Sequence, residues 1–266
     1  MNYSPQDTTR FPDAASARLR TEQPWTVRRN ARPAPQHGTS RLTRRFEIEW
    51  LEGENVMDAT RVAPALPIFE RAFGAFAHGV LIQTADGPVA VEDLVPGMYL
   101  ESANGRTTRL MWKGSILLVP NAPTLGDDPD RLYRVMPDAF GLGRPVQDQT
   151  FGPHARRLDR DSKIRASLGT DSALVPLSAL ADGHSVVEVA PISATRVYHL
   201  ACEDHATILA AGLEVETYHP GPETPLSLSE EMMSLFLGFF PHVRSIRDFG
   251  RLCAPRLTRD DVQAMF

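Results

Sequence analysis

The stretch FGAFAHGVLIQTADGPVAVEDLVPG, Phe73 to Gly97, decides how the rest of the chain is read. Two short apolar runs, LIQT and VAV, flank Ala85-Asp86-Gly87-Pro88. That tetrad is a turn signal, because Gly takes positive φ freely and Pro fixes its own φ. VEDLVPG then reads as a tight helical turn ended by Pro96-Gly97. Further on, MYLES and RTTRLMWKG flank Ala103-Asn104-Gly105, and Asn-Gly is a strong hairpin signal since both residues tolerate positive φ. RLYRVM, SALVPL, SVVEVA, ATRVYHLAC and ATILAAG follow as further short strands, and their spacing predicts a mainly β body over residues 75–221. GDDPDR, residues 126 to 131, reads as an exposed loop, and Gly141-Leu142-Gly143 as a loop that cradles no phosphate.

The flanks have a different texture. Residues 1–45 hold nine arginines against Asp7, Asp13 and Glu22, with few large apolar side chains. Such a segment cannot offset its ordering entropy by burial, which predicts a disordered basic arm with Trp25 as its one anchor. Residues 46–74 form a lead-in. FEIEWLEG alternates apolar and acidic residues, the period of a half-exposed strand. Asp58 or Thr60 is then placed to cap a helical or turn segment through VAPALPIFERAF, kept short by Pro64 and Pro67. Residues 222–266 predict a helical extension. Ser227 followed by Glu230 makes a capping box before MMSLFLGFF, and Thr258 followed by Asp261 makes another before VQAMF. The first helix, near Met232, is too apolar to stand alone and packs on the body or on a partner.

Bulk composition narrows the function. With 266 residues, 42% of them hydrophobic, the chain holds enough for a packed core. A net charge of −5 speaks against nucleic acid or anionic membrane as partners. No apolar run reaches membrane-spanning length and the first residues lack a secretory apolar segment, so a cytoplasmic location is expected. Cys202 and Cys253 allow at most one bridge and exclude a four-cysteine zinc site. Lys113 and Lys163 are the only lysines; this arginine bias reads as compositional, with no phosphate recognition implied. Without a GxGxxG, P-loop, His-Glu-x-x-His or Gly-x-Ser-x-Gly motif, no cofactor is expected.

The opening stretch resembles the start of Hint domains, the Hedgehog/intein self-processing fold, and in particular the bacterial branch called Hint type 2. Members look like Cys-Phe-x-x-Gly-Thr-x-Ile, then Thr-x-Asp-Gly, then Val-Glu-Asp-Leu-x-Pro-Gly-Asp. Here the corresponding residues are Ala75-Phe76-Ala77-His78-Gly79-Val80-Leu81-Ile82, Thr84-Ala85-Asp86-Gly87 and Val91-Glu92-Asp93-Leu94-Val95-Pro96-Gly97-Met98. Trp112 in LMWKG matches the following strand, and ALVPLSALADG resembles a later family segment. Val197-Tyr198-His199-Leu200, His205, Gly212 and Glu216-Thr217-Tyr218-His219-Pro220-Gly221 fall at the family's closing positions. The resemblance covers residues 75–221 and implies a Hint β fold.

Self-processing members begin with a Cys or Ser that attacks the carbonyl just upstream. A motif histidine, in Ser-Pro-Gln-His in this branch of the family, assists departure of the amide nitrogen. The first position is Ala75, whose methyl group has no lone pair. Alignment through the proline of Gly152-Pro153-His154-Ala155 puts Ala155 at the histidine position; a one-residue slip would bring His154 there instead. The position of the terminal intein Asn is Thr217. Cys202 lies three residues past His199, on the opposite face of a regular strand, and reads as a buried small hydrophobe. His199, His205 and His219 on neighbouring strands read as structural, although three histidines also suit zinc or acid–base work. The leading expectation is a catalytically degenerate Hint-fold module that binds a partner through the basic arm, the acidic strand or the helix at Met232. The alternative is residual autoproteolysis or hydrolysis, with or without zinc, through His154 and His205.

Overall fold

The computed structural model describes residues 42–120, 122, 131–222, 224 and 228–265. The basic arm up to residue 41, Trp25, residues 126–130 of the expected loop and Ser227 lie outside the described residues. In chain order the elements begin with β1 (Thr43–Glu52), β2 (Asn55–Pro64), α1 (Pro67–Glu70), β3 (Phe76–Ala77), β4 (Leu81–Thr84) and β5 (Gly87–Ala90). The centre holds β6 (Tyr99–Glu101), β7 (Thr107–Leu118), β8 (Leu132–Val135), β9 (Gln149–Phe151), β10 (Arg156–Asp159), α2 (Ser162–Leu168) and β11 (Ala173–Pro176). Then come β12 (Val186–Val189), β13 (Thr195–Cys202), β14 (Thr207–Ala210), β15 (Leu213–Glu216), α3 (Glu230–Leu237) and α4 (Arg259–Met265). The described residues are mainly β, and their fifteen strands join in one antiparallel sheet. No helix among the described residues is long and apolar enough to cross a membrane.

The opening stretch folds as its turn chemistry dictates. Thr84 pairs with Gly87, so Ala85-Asp86 forms the β4–β5 turn, and the Thr84 hydroxyl donates to the Gly87 carbonyl at 2.6 Å. Val91–Asp93 is the expected helical turn, pinned where Glu92 Oε2 accepts from the Gly79 N–H at 2.8 Å.

The lead-in departs from expectation. Asp58 and Thr60 cap nothing; they sit in β2, paired with Glu49 and Glu47 of β1. The cause is Gly53, whose φ of 64 closes a two-residue turn with Glu54 and brings Asn55 back opposite Glu52. The helical segment shrinks to the single turn of α1 with Pro67 at its start. Order also begins before residue 46: Arg44 and Arg45 belong to β1, and Arg44 Nε lies 2.6 Å from Glu70.

Long β7 carries the sheet across two cores. Its first residues pair with β6, its last with β1 and β13. Leu110 enters the first core, with Phe76, Ile82, Leu94, Phe151 and Leu200. Trp112 and Ile116 enter the second, with Phe46, Phe69, Phe73 and the tail residues Phe236, Phe239 and Phe240. Strand β3 lies between them: Phe76 faces the first core and Ala77 the second.

The tail is fastened to the body. Trp112 Nε1–H donates to the Phe239 carbonyl at 2.7 Å, and the apolar face of α3 is covered by the second core. The surface expected there for a partner is therefore already occupied. The α3 cap is Ser229, whose Oγ accepts from the Met232 N–H at 3.3 Å, two residues later than Ser227. The Thr258–Asp261 box is present, with reciprocal bonds of 2.8 and 3.1 Å.

Candidate functional site

The peptide bond Gly74–Ala75 lies at the seam of the two cores, and both of its own polar groups are engaged. The Gly74 carbonyl accepts from the His154 N–H at 2.8 Å. The Ala75 N–H donates to the Tyr198 carbonyl and the Ala75 carbonyl accepts from the Gly152 N–H, each at 2.8 Å. Gly152 permits this closeness. A Cβ built on it would stand 2.4 Å from the Gly74 oxygen and 2.8 Å from the Gly74 carbonyl carbon. No residue with a side chain fits that position unless the backbone moves.

Two alanines on either side of this seam share one environment. Ala75 and Ala155, each 1% exposed, belong to the same apolar core. Their methyl groups offer neither a lone pair to attack a carbonyl nor a nitrogen to carry a proton. Residues 153–154 form a turn between β9 and β10, so His154 is not a strand neighbour of Ala155. Its ring lies on the far side of Gly74, where a Gly74 Cβ would meet His154 Cδ2 at 3.1 Å.

That ring opens into a cavity of about 700 Å³ lined by His154, His199 and His219 together with Arg71, Arg131, Arg156, Arg256 and Arg259. Burial pushes the His154 imidazole down to about 3, helped by the charges of Arg71 and Arg156. Burial likewise takes His199 to about 3 and His219 to about 4. All three rings are neutral at pH 7. His199 Nδ1 lies 3.3 Å from the Arg71 carbonyl and so donates to it. His219 Nδ1 accepts from the Gly221 N–H at 2.9 Å and leaves Nε2–H to donate to the Gly250 carbonyl at 3.3 Å.

His205 stands apart from this lining. Its side chain is fully buried, with Nε2 3.1 Å from Glu216 Oε1 and Nδ1 accepting the Cys253 N–H at 2.9 Å. Glu216 also meets Arg256 Nε at 2.8 Å and Arg156 at 3.8 Å. Burial alone raises the Glu216 carboxyl, but the His205 hydrogen bond and the two arginine charges hold it at about 2. Asp204, the neighbour in sequence, is not the group that orients His205.

Thr217 is fully buried and uses its hydroxyl on both backbone groups of Ala206, at 3.1 and 3.0 Å. Cys202 packs against the first core with Tyr198 and Leu200, and burial pushes its thiol up to about 12. Cys253 is likewise raised, to about 11, so neither sulfur supplies a thiolate near neutrality. Among the described residues no three His, Cys, Asp or Glu side chains converge to hold a metal ion.

Sequence reasoning thus named His154, His199 and His219 and missed the five arginines around them. Those arginines come from the end of α1, the start of β8, β10 and the C-terminal segment, so no local spacing announces them. A family model described as Hint domain matches residues 74–222. A search among curated proteins finds no match to the chain.

Proposed function

The chain belongs to the Hint domain family, and from that premise we propose that it keeps the fold as a binding module and does not process itself. The observation that carries this reading is the shared burial of Ala75 and Ala155 in one apolar core, where family members place a nucleophile and a histidine. The carbonyl that would be attacked belongs to Gly74, and it still receives the His154 N–H. A polarising donor remains, therefore, but no atom is present to attack. Rescue by another nucleophile is opposed by the thiols of Cys202 and Cys253, both held protonated at neutral pH. His205 cannot act as base on that bond, since both its nitrogens are engaged within the fold.

The test is the mass of the purified full-length chain after incubation with and without a thiol or hydroxylamine. One species at 29.4 kDa is expected in every condition. Two fragments meeting between Gly74 and Ala75 overturn the proposal, because an ester or thioester must then have formed there.

A further inference from the structure

The cavity beside Gly74 is more cationic than its place in the fold requires. Five arginines line it together with one carboxylate, Glu188, while Glu216 lies behind the wall and Asp261 bonds Thr258 at its edge. With the three histidines neutral, the lining itself holds five arginines and one glutamate. Arg256 has a structural task, bonding Glu216 and the His219 carbonyl at 2.8 and 2.7 Å. Arg131 meets Glu188 at 3.4 Å in a half-exposed pair of little worth. Arg71 and Arg259 are exposed residues of this lining, and neither forms an ion pair among the described residues. Arginines gathered in excess of carboxylates repel one another, and such a cluster is the usual recognition element for phosphate and carboxylate groups.

We infer that this cavity binds a small anion carrying at least two negative charges on phosphate or carboxylate oxygens. Its volume of about 700 Å³ suits a small molecule. Arg71 and Arg259 supply the unclaimed forks, and Arg156 and Arg256 the fixed charge behind them. His154, whose ring has no hydrogen-bond partner among the described residues, gives one neutral donor or acceptor. Tyr133 and Tyr218 form part of the wall and offer apolar contact to an organic body. The inference rests on the binding-module reading and names the ligand class for it.

The experiment is calorimetric titration of the full chain with pyrophosphate and, separately, citrate, at fixed ionic strength. Arg71→Glu and Arg259→Glu test the cavity, Arg165→Glu in α2 serves as an arginine outside it, and circular dichroism verifies folding. If charge reversal unfolds the chain, the alanine variants replace it. Saturable binding of at least one titrant is expected with Kd below about 1 mM, weakened about tenfold or more by either cavity variant and unchanged by Arg165→Glu. Pyrophosphate alone points to phosphorylated ligands, citrate alone to polycarboxylates. The inference is overturned if neither titrant saturates, or if both cavity variants bind like the parent. Mass measurement of the same samples separates the two proposals: a cut chain removes the function reading, while an intact chain that binds nothing removes this one.

Discussion

Gly152 and Gly74 face each other across the seam, and replacing each by alanine should have very unequal consequences. At Gly152 the new methyl would lie 2.4 Å from the Gly74 oxygen and 3.3 Å from the Ala75 carbonyl carbon, all backbone atoms. Ordinary contact demands a retreat of roughly 1 Å. That retreat stretches two hydrogen bonds, Gly152 N–H to Ala75 and His154 N–H to Gly74, both 2.8 Å. Each bond contributes about 1 kcal/mol net, and overpacking adds about 1–3 kcal/mol. The expected loss for Gly152→Ala is therefore about 3–5 kcal/mol, a large share of a domain's usual 5–15 kcal/mol. At Gly74 the methyl meets only His154 Cδ2 at 3.1 Å and the Pro153 ring at 3.5 Å, and the imidazole can swing into the cavity. Gly74→Ala should change stability by less than about 1 kcal/mol, aided by a less flexible unfolded chain. Urea unfolding of both variants measures this, with unchanged m values showing that the same surface is exposed. If Gly152→Ala unfolds within about 1 kcal/mol of Gly74→Ala, the close approach at the seam is not what fixes that glycine.

Three further expectations follow from buried polar groups. His199 has a folded pKa of about 3, below its unfolded value of 6.5, so unfolding takes up a proton between those limits. Its stability term is complete above pH 7 and is lost as pH falls through this window; His199→Gln should reduce the drop between pH 7 and 5 by about 1–2 kcal/mol in urea titrations. Arg256→Ala strips the buried Glu216 of its nearest cation and should cost about 3–5 kcal/mol in the same assay, more than the paired change of Glu216→Gln with Arg256→Met. Trp112→Phe leaves the Phe239 carbonyl without its donor, about 1–3 kcal/mol, and limited trypsin digestion should then cut at Arg244 or Arg247 before any body site.

The β body was legible because its turns are local chemistry: Asp86-Gly87 and Asn104-Gly105 fix their hairpins wherever they occur. β1 was legible through its alternation. β2 was not, since most of its side chains are exposed and a strand wet on both faces carries no period of two. The cap of α3 was misplaced by two residues because two serines flank Leu228 and either fits the pattern. The opposite placement of His154 and Ala155 needed the turn between β9 and β10, which an alignment through Pro153 does not contain. The arginine surplus of the cavity was hidden for a different reason. Composition showed the bias toward arginine, but only the sheet order brings Arg71 and Arg259, almost two hundred positions apart, to one wall.

The second core has a consequence for how any break at Gly74–Ala75 would look. Phe46, Ile48, Phe69 and Phe73 precede that bond, while Trp112, Phe239 and Phe240 follow it, and all interlock in one cluster. Phe73 lies between Phe46, Trp112 and Phe239, with ring centroids 4.8 to 5.4 Å apart. At about 2 kcal/mol for each large buried side chain, reinforced by the β1–β7 ladder, the two pieces would hold together without a covalent link. A nicked molecule would migrate, sediment and melt much like a whole one. Only denaturant would part its halves.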